Sequence, residues 1–81
     1  MATERQAERT IMDLLAQRDA GKTICPSDAA REIDPDRFRE LMPLVRDAAR
    51  RLVAEGKIEV TQSGKRVDLD KARGAIRLRL T

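Results

Sequence analysis

The chain has 81 residues, which sets one small domain over residues 1–81 and leaves no room for a catalytic domain beside a regulatory one. One cysteine and no histidine exclude an internal disulfide and a zinc site of the Cys/His kind. Charge is uneven: residues 1–40 hold seven Lys/Arg against nine Asp/Glu, a net −2, whereas residues 41–81 hold ten against five, a net +5. Such an excess of positive charge is typical of a module that binds the phosphates of a nucleic acid, although a basic surface kept for solubility gives the same pattern.

Thr3 is predicted to cap the first helix, because Gln6 stands three residues on as a capping box requires. Apolar residues then recur at intervals of three to four and predict one inward stripe: Ala7, Ile11, Leu14 and Leu15. Residues 19–22 are predicted to end this helix, since Gly21 suits a left-handed C-terminal turn.

A short β-branched segment, residues 23–24, predicts a first strand, and Pro26 after it predicts the start of a second helix. Asp34 is predicted to cap a further turn. Because Pro43 has no N–H to donate to a continuing helix, we predict a short helical turn over residues 35–41 and a separate, longer helix over residues 43–55.

Two strands are predicted after Gly56, over residues 57–61 and 75–80, with apolar and polar residues alternating in each. Glu59 would stand opposite Arg77 or Arg79 as a cross-strand charge pair. Between the strands lies a polar, basic loop over residues 62–74.

This order of elements predicts an α+β winged helix, in which a three-helix helix-turn-helix core carries a small antiparallel, two-stranded wing. The predicted core consists of Ile11, Leu14, Leu15, Ile33, Phe38, Leu41, Val45, Leu52, Ile58, Val60, Ile76 and Leu78.

Four strings of the sequence resemble an uncharacterised bacterial family of small winged-helix proteins, catalogued as a domain of unknown function. They lie at residues 23–31, 41–46, 56–65 and 74–80, and the resemblance covers nearly the whole chain from about Ile11 onward. Phe38 stands where such proteins often have tryptophan, and Arg66 where proline often follows the Gly-Lys pair. The resemblance implies a winged-helix fold and does not imply any activity.

The longer helix supplies the first candidate nucleic-acid contacts: Arg46, Arg50 and Arg51. In helix-turn-helix proteins the second helix of the unit enters the major groove, where arginine can bind guanine O6 and N7 with two hydrogen bonds. Arg39 would extend the basic surface. The alternative is a solvated helix exterior, in which Asp47 pairs with Arg50 or Arg51.

The loop over residues 62–74 supplies the second group of candidates: Lys65, Arg66, Lys71 and Arg73. Cations on a wing can neutralise phosphates and fix the register of the protein on a duplex. The alternative is an exposed loop of mixed charge, since Asp68 and Asp70 lie among them.

The sequence therefore favours binding of duplex DNA. A protein-interaction module with an acidic partner is the main alternative, RNA is a third class of partner, and a homodimer is compatible with all of them. We expect no enzyme, because no acid/base constellation is recognisable, and no cofactor or metal. No signal peptide or membrane-length apolar run is present in the sequence, which predicts a cytoplasmic protein without membrane contact.

Overall fold

Three helices precede a small antiparallel sheet in the computed structural model, which describes residues 2–19 and 21–81. The helices are α1 (Glu4–Ala16), α2 (Pro26–Ile33) and α3 (Phe38–Ala54). The strands are β1 (Ile58–Gln62), β2 (Lys65–Arg66) and β3 (Arg77–Leu80). This is an α+β fold compatible with a winged-helix arrangement, as the order of elements in the sequence predicts.

The start of α1 confirms the predicted cap, because Thr3 Oγ1 accepts a hydrogen bond from the Gln6 N–H at 3.1 Å. The helix ends at Ala16, before the predicted stop. The side chains of residues 16–19 are exposed, so nothing extends the buried stripe beyond Leu15. Gly21, with φ +83°, confirms the left-handed turn. The predicted stop at residues 19–22 also includes Ala20, which is outside the described residues.

The predicted break at Pro43 is wrong. Helix α3 runs unbroken from Phe38 to Ala54 and includes the proline, so residues 35–41 and 43–55 are not separate helices. Pro43 lies in the second turn, where it removes one hydrogen bond to the carbonyl of Arg39. Both residues are exposed, so water can satisfy that carbonyl, and the apolar stripe continues past the proline to Val45.

The turn before α3 is closed by Asp34, as predicted. Its Oδ1 accepts hydrogen bonds from the N–H groups of Asp36 at 3.1 Å and Arg37 at 3.2 Å. This turn joins the end of α2 to the start of α3, and the two helices pack against each other.

The sheet has the order β2-β1-β3, and both pairings are antiparallel. The predicted first strand is a single bridge, in which Ile24 and Leu78 exchange hydrogen bonds of 2.9 and 2.7 Å. The prediction of a two-stranded wing is wrong, because β2 adds a third strand. The register places Glu59 opposite Arg79 and Thr61 opposite Arg77.

The predicted loop over residues 62–74 divides into two parts. The first is a tight hairpin: Ser63 and Gly64 have φ of +51° and +78°, the pair of positive values that a two-residue turn of type I′ needs. The second, residues 67–73, is here called the docked segment. It begins where the Val67 N–H donates to the Val60 carbonyl at 2.8 Å, and it buries Leu69 to 8% exposure.

The core lies between the three helices and the inner face of the sheet. Of the twelve predicted core residues, eight are buried and four pack against the core while partly exposed: Leu14, Ile33, Phe38 and Leu41. The prediction missed Ile24 and Leu69, which are also buried. Thr61 lies on the outer face as the alternation predicts, yet it is buried.

Candidate nucleic-acid interface

One edge of α3 carries three arginines that helical geometry brings together. At about 100° per residue, Arg46 lies about 20° from Arg39 and about 40° from Arg50 around the helix axis. We call these three residues the basic edge. Arg51 lies about 140° from Arg46 by the same geometry. It lines a cleft between α3 and α1 instead, so the structure places it away from the other candidates of this helix.

The guanidinium of Arg50 is held between two carboxylates. Its Nη1 donates to Asp47 Oδ1 at 2.7 Å and its Nε donates to Asp70 Oδ1 at 2.8 Å. These contacts, with Asp70 first, raise the pKa of Arg50 above its usual value, because both carboxylates favour the charged guanidinium. The pairing with Asp47 is the one that the solvated-exterior interpretation predicted, whereas Asp70 lies twenty positions along the chain and had no signal in the sequence.

The other two arginines of the basic edge have no such partners. In the described part of the chain, no carboxylate oxygen lies within 4.0 Å of the side-chain nitrogens of Arg39 or Arg46. The Cζ atom of Arg39 lies 5.6 Å from the ring centroid of Phe38, and the Cζ atom of Arg31 of α2 lies 4.4 Å from the same centroid. These cation–π contacts place a further arginine, which sequence reasoning missed, beside the start of α3.

The hairpin separates its two candidates. Because side chains alternate along a strand, Arg66 shares a face with its partner Thr61, and Lys65 lies on the other face. Arg66 Nε accordingly lies 3.8 Å from Glu59 Oε2 on the outer face. Lys65 lies on the face that also carries the buried Val60, which is the side on which the helices pack.

The remaining two candidates, Lys71 and Arg73, belong to the docked segment and are exposed. The end of this segment is fixed by Gln62, whose Nε2 donates to the carbonyls of Arg73 at 2.5 Å and Ala75 at 3.1 Å. The middle of the segment is fixed by the ion pair between Asp70 and Arg50 of α3. The docked segment therefore lies against α3, where it contacts Arg50 of the basic edge.

Within residues 2–19 and 21–81, no group of three or more histidine, cysteine, aspartate or glutamate side chains is placed to hold a metal ion. In the same ranges, no helix has both the length and the apolar character needed to cross a bilayer.

The chain belongs to the family described as "Protein of unknown function (DUF3253)", whose model matches residues 4–81. The resemblance to a domain of unknown function is thereby confirmed over almost the full chain. No curated protein matches the chain.

Proposed function

We propose that this protein binds duplex DNA through the side of the molecule that carries the basic edge and the hairpin tip. The proposal is supported by a set of cations on this side that have no carboxylate partner within residues 2–19 and 21–81. Arg39 and Arg46 lie on α3, and Lys65 extends from the same side of the sheet as the helices.

The two elements have different tasks in this proposal. Helix α3 is narrow enough to enter the major groove, where Arg46 meets base edges or a flanking phosphate. Lys65 at the hairpin tip, with Lys71 and Arg73 behind it, neutralises phosphates and sets the register of the protein without selecting a base. A small number of contacts of this kind gives weak sequence preference and strong dependence on salt.

Arg50 holds the docked segment against α3 and does not contact the bases in this proposal. Asp47 and Asp70 neutralise its charge, and both carboxylates would repel phosphate that approached the C-terminal half of α3. The contacts that α3 makes with DNA therefore centre on Arg39 and Arg46. No residue of the interface is assigned a catalytic role.

A protein-interaction module with an acidic partner is the second candidate, and the same contacts favour it. The ion pairs of Arg50 lower the positive charge of α3 below what its sequence suggests. A surface with fewer free cations is a poorer fit to the dense charge of a duplex backbone, whereas a protein partner that offers only a few acidic side chains needs fewer free cations.

The test is fluorescence anisotropy of a labelled random duplex titrated with the protein at several salt concentrations, beside a structured RNA of equal length. Each phosphate contact adds about 0.9 to the slope of log K against log salt. We expect a slope of about 2 to 4, from the contacts of Arg39, Arg46, Lys65 and the docked segment. Absence of duplex binding at low salt would leave the protein-interaction module, and preference for the RNA would change the class of nucleic acid.

A further inference from the structure

The face of the sheet that points away from the helices is cationic. By the alternation and register of the strands, it carries three arginines, one glutamate and one threonine, and no apolar side chain. We call this set the outer sheet face: Glu59, Thr61, Arg66, Arg77 and Arg79. Three guanidinium groups against one carboxylate leave two positive charges in excess.

The one carboxylate of this face lies beneath its partners. Glu59 is bound by Arg79 Nε at 2.5 Å and approached by Arg66 Nε at 3.8 Å. The side chain of Glu59 is 17% exposed, whereas that of Arg66 is 75% exposed. A ligand that approaches the face therefore meets guanidinium groups first.

Arg77 is held in place by neutral acceptors. Its Nε donates to Thr23 Oγ1 at 2.8 Å, its Nη2 to the Thr23 carbonyl at 3.2 Å, and its Nη1 to Cys25 Sγ at 2.7 Å. No carboxylate in the described part of the chain lies within 4.0 Å of its guanidinium nitrogens. A guanidinium has five N–H donors. Among the described residues, Arg77 therefore makes no ion pair and uses three of its five N–H donors, so that two N–H groups remain for a ligand on a side chain that is already held in place.

We infer that the outer sheet face is a second phosphate-binding surface, which holds the sugar-phosphate backbone of a second duplex. This inference rests on the proposed function for the first duplex, which would lie on α3 and the hairpin at the other side of the sheet. One chain then bridges two duplex segments.

The chemistry of the face favours a phosphate backbone over a protein. Protein interfaces depend on apolar and aromatic anchors, and this face offers none. It also has no ring on which an unpaired base could stack. What it offers is three arginines within a short distance of one another. By ideal strand spacing, the Cα atoms of Arg77 and Arg79 lie about 7 Å apart along β3, and that of Arg66 lies about 10 Å across the sheet from that of Arg77. Arginine forks of this kind match phosphate oxygens.

A capture experiment tests the inference. A biotinylated duplex on beads is mixed with protein and with a fluorescent duplex of the same length, and the retained fluorescence is measured. The wild-type protein is expected to retain the fluorescent duplex. The R66Q/R77Q variant is expected to bind the bead duplex with an affinity within about twofold of wild type and to lower the retained fluorescence to the protein-free level, because only the first surface remains.

Capture by R66Q/R77Q at the wild-type level would overturn the inference, since a dimer that bridges through two copies of α3 would behave in that way. Lack of capture by wild-type protein that is itself retained on the bead duplex would also overturn it, whereas protein that is not retained on the bead duplex would contradict the proposed function. Release of the second duplex by polyglutamate as readily as by competitor duplex would overturn the assignment to a phosphate backbone.

Two controls keep the result interpretable. If R66Q/R77Q differs from wild type in circular dichroism or Tm, the single variant R66Q replaces it, because this side chain makes only the long contact to Glu59. We expect R66Q to reduce capture at least threefold. The R46A/K65A variant separates the two proposals: unchanged affinity for a single duplex in this variant would count against the proposed function and not against the outer sheet face.

Discussion

The two halves of the basic edge of α3 differ in charge, although the same residue type stands in each. Arg46, at the middle of the helix, has no carboxylate within 4.0 Å among the described residues, whereas Arg50, one turn later, is held by Asp47 and Asp70. Asp47 belongs to α3 itself, whereas Asp70 belongs to the docked segment, so part of the difference comes from outside the helix. A basic stripe on a helix therefore gives no measure of free positive charge until the segments packed beside it are known.

The largest expected effect comes from undocking the segment that carries Asp70. Leu69 is buried at 8% exposure in the common core, so Leu69→Ala should lower the free energy of unfolding by about 2–3 kcal/mol. Urea denaturation measures this loss. Leu80→Ala is the control, because Leu80 is 41% exposed and its truncation should cost much less. Equal losses in the two variants would mean that the docked segment is not anchored through Leu69.

The second largest effect should come from the hairpin that presents Lys65. Gly64 has φ +78°, a conformation that a β-carbon disfavours. Gly64→Ala should therefore lower the free energy of unfolding by about 1 kcal/mol and weaken duplex binding through the displaced hairpin tip. Lys65→Ala should leave stability unchanged and weaken binding alone. A Gly64→Ala variant as stable as wild type would contradict the turn described here.

The smallest effect should come from removing one of the two carboxylate partners of Arg50. Asp70→Asn removes the first carboxylate partner of Arg50 and should tighten duplex binding a few-fold, with a slope against log salt that is greater by up to about 0.9. The matched control is Asp68→Asn, which removes the same charge two residues away while its amide oxygen can still accept from the Asp70 N–H, a bond of 2.9 Å in the wild-type protein. Equal gains in both variants would show a general charge effect rather than release of Arg50.

The sequence predicts most of the helical part because its signals are local. The cap at Thr3, the proline at the start of α2 and the 3.6-residue stripe of α3 each lie within a few residues of what they determine. The error at Pro43 came from a local rule overruled by packing, because the buried stripe on both sides of the proline keeps the helix continuous.

The wing and the site could not be predicted to the same depth, since their determinants are distant in the chain. Leu69 stands alone between two aspartates and gives no periodic signal, so its burial depends on a core formed elsewhere. The pairing of Asp70 with Arg50 spans twenty positions, and the contact of Arg77 with Thr23 spans 54. The separation of Lys65 from Arg66 follows from a strand too short to show alternation.

The most direct test of duplex binding by the basic edge compares Arg46→Ala with Arg51→Ala in the salt-dependent anisotropy titration. Both changes remove one exposed or half-exposed arginine from the same helix, about 140° apart around its axis. Arg46→Ala should weaken binding about threefold to tenfold and lower the slope of log K against log salt by about 0.9, whereas Arg51→Ala should leave the slope within error of wild type. Equal losses in the two variants, or a loss confined to Arg51→Ala, would contradict the placement of the DNA on the basic edge.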